Sequence, residues 1–329
     1  MSVLSAAYAR AAQLRRSWYA RRPGTRRHLD RPVISVGNLV VGGSGKTPVV
    51  AALARLLLEW NEHPAVLSRG YGRRESADGV VVVSDGTRVL AGVESSGDEP
   101  QMLARNLPGV PVLVSADRFL AGRLAERRFG ATALLLDDGF QHLRLWRNVD
   151  LLLVDPADLT EGVLPSGRLR EPLAAASAAH AVLVPGTPAE AADVALTLRV
   201  PRAFSVMHRF GPLSRLNGPA PLHLAGSTVV ALSGIARPAR FHTALRDAGW
   251  TIAREIAFRD HHWFTARDVA RIVDAARAAG ADAIVTTEKD AMRLEAVLRP
   301  EDGIPWAYLP MDVTIAPAEE FRSWLRDRL

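Results

Sequence analysis

Two lysines stand among 41 basic residues, and both lie in short polar runs suited to phosphate: Lys46 in "GGSGKT" and Lys289 in "TTEKD". Every other basic residue is arginine. A drift toward arginine removes any lysine that arginine can replace, so a surviving lysine marks a site that needs a compact ammonium. The run Gly42, Gly43, Ser44, Gly45, Lys46, Thr47 follows an apolar "PVISVGN" and precedes "TPVVAALARLLLEW". In such a strand–turn–helix, glycines allow positive φ and close backbone approach. Backbone N–H groups and the helix N-terminus then hold phosphate oxygens. The lysine reaches the terminal phosphates and the threonine hydroxyl ligates Mg2+. The strict form of this loop has glycine where Val40 stands. A related loop of switch ATPases carries an additional lysine where Val41 stands.

A phosphate loop needs a second acid to help hold Mg2+. "ATALLLDDGFQH" ends an apolar stretch with Asp137 and Asp138, and "LLLVD" offers Asp155 less specifically. "SSGDEPQML" sets Asp98 and Glu99 at a helix start, where Asp98 is either an N-cap or a catalytic base. "FRDHHWF" concentrates Asp260, His261 and His262, which reads either as a surface loop or as a proton relay. Arg168, Arg170 and Glu171 in "SGRLREPL", with Arg69, Arg73 and Arg74 in "SRGYGRR", supply forks that suit substrate phosphate.

These residues need a frame. Val- and Leu-rich strands alternate with helical stretches from Pro32 onward, which predicts a parallel α/β sheet. The expected organisation is a basic amphipathic helix over 1–30, a P-loop NTPase-like sheet domain flanked by helices over 31–200, and a crossing over 201–225. A smaller α/β domain over 226–312 and a final helix over 313–329 complete it. Residues 1–29 contain no acid, and Leu4, Tyr8, Ala11, Leu14 and Trp18 recur at helical spacing among arginines. Such a helix suits a membrane surface, or lies on the domain with a solvated basic face. No apolar run approaches the roughly 18 residues of a transmembrane helix. The chain has no cysteine, which excludes disulfides and thiolate metal sites. A net charge of +6 invites an acidic partner. Scattered arginines and 6% aromatic residues argue against nucleic acid.

In order along the chain, "GNLVVGGSGKTP", "LSRGYGR", "SGDEPQML", "DDGFQH", "GRLREP", "SGIARP", "DHHWF" and "TTEKDAMRL" resemble the tetraacyldisaccharide 4'-kinase family. The resemblance runs from about residue 32 to 293, and Val40 matches the family's own pattern. It implies a two-domain P-loop kinase at the cytoplasmic face of the bacterial inner membrane. Such an enzyme passes the γ-phosphate of ATP to the 4'-hydroxyl of a lipid A disaccharide 1-phosphate, and it implies no obligate protein partner. By the same resemblance Gly42 to Thr47 hold the nucleotide, with Lys46 assisting transfer. Thr47, Asp137 and Asp138 serve Mg2+, without separate roles for the two aspartates. Arg118, Arg170 and Glu171 bind substrate. Its catalytic acid falls on Asp98 and its Asp-His motif on Asp260 and His261. An aspartate of pKa about 3.9 is a weak base alone, so an Asp98–His261 pair is expected, assembled by closure of the cleft between domains. One rival remains: "TEKD" imitates the guanine-reading run of GTPase switches, and a chaperone-type P-loop protein would share the loop.

Overall fold

Runs such as "ALLLD" are apolar at nearly every position and need cover on both faces of a sheet. The computed structural model describes residues 2–43, 45–75, 78–217, 226–299 and 303–329. Helix α1 (Val3–Arg21) is followed by β1 (Val33–Gly37), α2 (Lys46–Glu59), β2 (Pro64–Ser68), β3 (Val81–Asp85), α3 (Val93–Ser96), α4 (Asp98–Asn106) and β4 (Pro111–Val114). Next come α5 (Arg118–Phe129), β5 (Ala133–Asp137), β6 (Val149–Leu153), β7 (Ala181–Pro185), α6 (Pro188–Leu198), β8 (Ala203–Phe210) and β9 (Ser214–Arg215). The chain continues through β10 (Thr228–Ser233), α7 (Pro238–Asp247), β11 (Thr251–Ala257), α8 (Ala266–Ala278) and β12 (Ala283–Thr287). It closes with α9 (Glu288–Leu294), β13 (Trp306–Leu309), β14 (Met311–Ala316) and α10 (Ala318–Arg326).

The larger sheet runs β14-β8-β7-β6-β1-β5-β2-β4-β3, with β1 at its centre. Only the outer pairs β14–β8 and β3–β4 are antiparallel. Alternate residues go to opposite faces: Leu135 joins α2 and α10 side chains in one core cluster, whereas Leu134 and Leu136 meet α5. The smaller sheet runs β11-β10-β12-β13-β9, with α8 on one face and α7 on the other. The fold is thus α/β, a large and mostly parallel sheet flanked by helices with a smaller α/β unit.

The stretch expected as a crossing over 201–225 contains β8, a full member of the larger sheet. Strand β14 returns to pair with β8 and begins at Met311, inside the stretch expected for the smaller domain. The smaller sheet is therefore inserted between two neighbouring strands of the larger one. The Pro, Gly and Arg content near β8 hid it, because an edge-proximal strand alternates and carries exposed residues such as Met207. Of the 201–225 stretch, 218–225 lies outside the described residues.

Helix α1 lies on the larger sheet's lobe in an unexpected orientation. Small residues Ser5 and Ala9 face the protein, while Val3, Leu4 and Leu14 are 86%, 71% and 61% exposed. Arg16 fastens it with a two-point ion pair to Glu171, at 2.6 and 3.1 Å, and lies 4.3 Å from the Phe140 ring. Arg15 donates to the Gln141 carbonyl.

Candidate active site

The phosphate loop begins where β1 leaves the sheet. Gly37 is required there, since a Cβ would come within 2.4 Å of Phe140 Cβ. Val40 is buried and bridges antiparallel to Leu169, so it belongs to the wall rather than to the loop. That placement explains why a glycine is absent at Val40. The turn itself uses left-handed backbone at Gly42 (φ +94°) and Gly45 (φ +82°), which glycine adopts without strain. Gly45 precedes α2 and no side chain caps the helix, which leaves its first N–H groups for an anion. Lys46 donates to Asn38 Oδ1 at 3.2 Å and lies 3.5 Å from Asp138 Oδ1. Ser44 lies outside the described residues.

At the end of β5, beside β1, Asp137 and Asp138 diverge. Asp138 accepts from Arg170 at 2.7 Å. Burial alone would raise its pKa, but Lys46 and then Arg170 hold it below the ordinary value. Both oxygens of Asp137 are buried with no hydrogen-bond partner among the described residues. Burial, and then the Glu99 charge, push Asp137 up to about 7. A buried carboxylate with two open oxygens that feels the loop lysine's charge fits a hard divalent cation. Among the described residues no three His, Cys, Asp or Glu side chains cluster to hold a metal. Mg2+ commonly binds through one or two carboxylates plus substrate phosphates, so the donor set is of the right kind.

Asp98 opens α4 but does not cap it: the N-cap is Gly97, at φ +87°. Its side chain is wholly buried and turned to the other lobe. Asp98 Oδ2 accepts from Arg293 Nη2 at 2.5 Å and lies 3.3 Å from His261 Nδ1. Burial alone would raise its pKa, whereas the His261 ring, Lys289 and Arg293 keep it low. Asp98 and His261 are thus in contact across the two lobes. His261 sits at φ +58°, a left-handed position rare outside glycine and costly enough to hint at function. Its ring meets Tyr71 edge-on at 5.1 Å. Gly72 makes room for it, since a Cβ there would come within 3.0 Å of Nδ1. Lys289 Nζ is 3.2 Å from His261 Nε2, 3.3 Å from Asp260 and 3.5 Å from Glu99. Burial would lower the lysine's pKa, but Glu99, Asp98 and Asp260 raise it above its usual value.

Two cavities flank these residues, the larger bordered by Lys46 and Lys289 and the smaller by Asp138 and Arg170. A cavity of about 610 Å³ runs from Lys46 and Thr47 to a largely apolar wall of Phe210, Phe241, Ala244 and Leu309. A smaller one, about 290 Å³, is lined by Arg15, Tyr19, Arg69, Arg118, Arg144 and Arg170. Burial and then the Arg69 charge lower the Arg118 pKa to about 10. Glu171 does not line this cavity; it holds α1 through Arg16.

A family model described as tetraacyldisaccharide-1-P 4'-kinase matches residues 1–329. The chain belongs to the tetraacyldisaccharide-1-P 4'-kinase family. The tetraacyldisaccharide 4'-kinase of Geobacter metallireducens is 44% identical, over 91% of this chain and 89% of its own. That of Syntrophus aciditrophicus is 38% identical, over 98% and 90%. The crystal structure of LpxK from Aquifex aeolicus in complex with ATP is similar, at TM-score 0.77 and 30% identity, covering 98% of this chain and 96% of that one.

Within this kinase family member, three alternative readings are corrected by position. His262 is bound to Asp268, which closes the capping box of α8, so it is a structural histidine. Asp155 is engaged by Arg237 and Arg240 of the second lobe, and so joins the lobes. "TEKD" does not read a base: Asp290 accepts from Gly234 N–H and Thr287 Oγ1, and Lys289 faces the Asp98–His261 pair. The residue that motif reading passed over is Arg293. Nothing in composition marked it, since arginine is the default basic residue of this chain.

Proposed function

We infer that this chain transfers the γ-phosphoryl group of ATP to the 4'-hydroxyl of a tetraacyldisaccharide 1-phosphate. One observation carries the reading: Asp98 of one lobe and His261 of the other meet at 3.3 Å, and the Lys289 beside them lines the same cavity as Lys46 and Thr47 of the phosphate loop. Phosphoryl transfer needs placement and charge neutralisation more than covalent help. ATP occupies the larger cavity, its base against the apolar wall and its phosphates at Lys46, the loop and the α2 N-terminus. Thr47 and Asp137 would hold Mg2+, which neutralises phosphate charge when bound. Asp138 keeps Lys46 and Arg170 in place. Arg118 and Arg170 hold the acceptor headgroup, and Glu171 acts through α1. Asp98 and His261 take the hydroxyl proton as the new O–P bond forms and ADP leaves. Incubation with γ-labelled ATP and the disaccharide 1-phosphate in mixed micelles should give a labelled lipid. No labelled lipid, or equal use of GTP, would sink this reading in favour of a nucleotide switch.

The acyl chains of such an acceptor lie in a bilayer, so the enzyme must work at its surface. No described helix is long and apolar enough to cross a membrane. Helix α1 instead presents Leu4, Tyr8, Leu14 and Trp18 outward beside its arginines, which suits peripheral docking on anionic lipid at the cytoplasmic face of the inner membrane. Deleting residues 1–22 should weaken binding to anionic liposomes more than binding of ATP. Equal vesicle partitioning with and without the segment would remove α1 from docking.

A further inference from the structure

The Arg293 side chain has no solvent exposure, and the hydrogen bonds it makes all leave from one nitrogen. Nη2 donates to Asp98 Oδ2 at 2.5 Å and meets His261 Nδ1 at 2.7 Å. A guanidinium and an ammonium both have donors and no acceptor, and a neutral ring has one acceptor nitrogen, so Arg293 at Nδ1 and Lys289 at Nε2 compete for it; the shorter contact, 2.7 Å against 3.2 Å, favours a lone pair on Nδ1 and the ring proton on Nε2. Lys289 lies near Nε2, but a protonated Nε2 offers it no lone pair; its own hydrogens face Asp260 and Glu99. Lys289 and Arg293 stand four residues apart on α9, so one helix face puts a cation at each ring nitrogen.

Fold stability does not account for this arginine. Its Nε and Nη1 have no hydrogen-bond partner among the described residues, and its guanidinium carbon lies 5.4 Å from the Trp263 ring centroid. Burying a guanidinium with unmet donors is costly, and an apolar side chain of similar volume often stabilises as well. Both polar contacts it does make go to the reacting pair.

We infer that Arg293 is a positioning residue that donates to Asp98 and His261 together, fixing the His261 tautomer and holding the pair in register across the lobe seam. The inference rests on the proposed role of that pair. With Nδ1 occupied by Arg293, the proton leaving the acceptor hydroxyl is taken by the Asp98 carboxylate, which Arg293 holds in place. Without Arg293 the ring is free to take the other tautomer, whose Nδ1 proton points at Asp98 before any acceptor arrives.

The test uses full-length protein, Arg293→Gln and Arg293→Lys, with steady-state kinetics and histidine ring 15N spectra, His261 being assigned from His261→Ala. Arg293→Gln should lower kcat at least tenfold with the ATP KM within about twofold, and Arg293→Lys should recover part of the loss. His261 Nδ1 should resonate as an unprotonated nitrogen in the parent and shift toward the protonated position in Arg293→Gln. Parent kcat in Arg293→Gln, or a protonated Nδ1 in the parent, would overturn the inference. If Arg293→Gln does not fold, the parent spectrum and Arg293→Lys still decide. Parent turnover in His261→Ala would instead remove the pair from catalysis, and the nitrogen spectrum would then decide the tautomer alone.

Discussion

Asp137 and Asp98 are both carboxylates at the reaction centre and both wholly shielded from water, yet their pKa values move in opposite directions. Asp137 has two open oxygens and feels the Glu99 charge. Asp98 is held by an arginine, near a lysine and a histidine, all from the other lobe. The side that binds nucleotide thus keeps a carboxylate free for a cation that would arrive with it. The side proposed to activate the acceptor has its cations built in. Asp137 and the phosphate loop belong to one lobe, whereas the Asp98 cluster exists only when both lobes meet.

The strongest way to break this contrast is Asp98→Asn, which keeps volume and removes charge. Loss of a positioned proton acceptor typically costs about 10²–10⁴-fold in rate. We expect a kcat loss in that range with the ATP KM unchanged, because the nucleotide side is untouched. A loss under tenfold would show that the seam is structural and that the hydroxyl proton leaves by another route.

Asp137→Asn sharpens the other half. A folded-state pKa raised to about 7 means that the native state binds the extra proton between its unfolded value, about 3.9, and 7. Stability of the metal-free protein therefore falls as pH rises through that window and stays low above it. The span corresponds to roughly 4 kcal/mol at most. Asparagine removes the penalty, so metal-free Asp137→Asn should melt several degrees above the parent at pH 8 and only about a third as far above it at pH 5. Adding Mg2+ and ATP should raise the parent more than the variant. The same melting temperature for both proteins at pH 8, without metal, would mean that Asp137 is not a carboxylate held against its charge.

The same contrast governs what the sequence could tell. The nucleotide side was legible because its parts are contiguous: "GGSGKT" is one turn, and "LLLDD" is one strand end whose apolar run fixed its central place. Asp98 and His261 became legible as a pair only through family resemblance, since 163 positions part them and local chemistry allowed a cap or a loop for each. Arg293 stayed hidden because its meaning depends on a lobe packing that no local pattern encodes. The divided roles of Asp137 and Asp138 were hidden too, since each depends on which cation the fold brings close enough to pair with it. The fold itself read well wherever strands were buried on both faces, and failed at β8 and β14, where one edge pairing joins stretches more than 100 residues apart.

The smallest expected effect lies on the nucleotide side, where the second lobe also makes a contact. Arg237, at the start of α7, donates to Asp155 at 2.9 Å and to Asp158, and Arg240 joins Asp155. All but Arg240 are largely buried. Ala236, next along the chain, sits so close to Gly42 that a Cβ on that glycine would meet it at 2.9 Å. The pairing therefore fixes how α7 roofs the phosphate loop. Arg237→Ala weakens this roof while leaving Arg240 on Asp155, so the lobes should spend less time closed over nucleotide. Apparent affinity falls with the closed fraction, and a tenfold drop corresponds to about 1.4 kcal/mol. We expect the ATP KM to rise about fivefold to tenfold with kcat within about threefold, the reverse of the split expected for Asp98→Asn. A variant that lost kcat and kept its ATP KM would mean that both seams serve the acceptor, and the division between a nucleotide side and an acceptor side would fall.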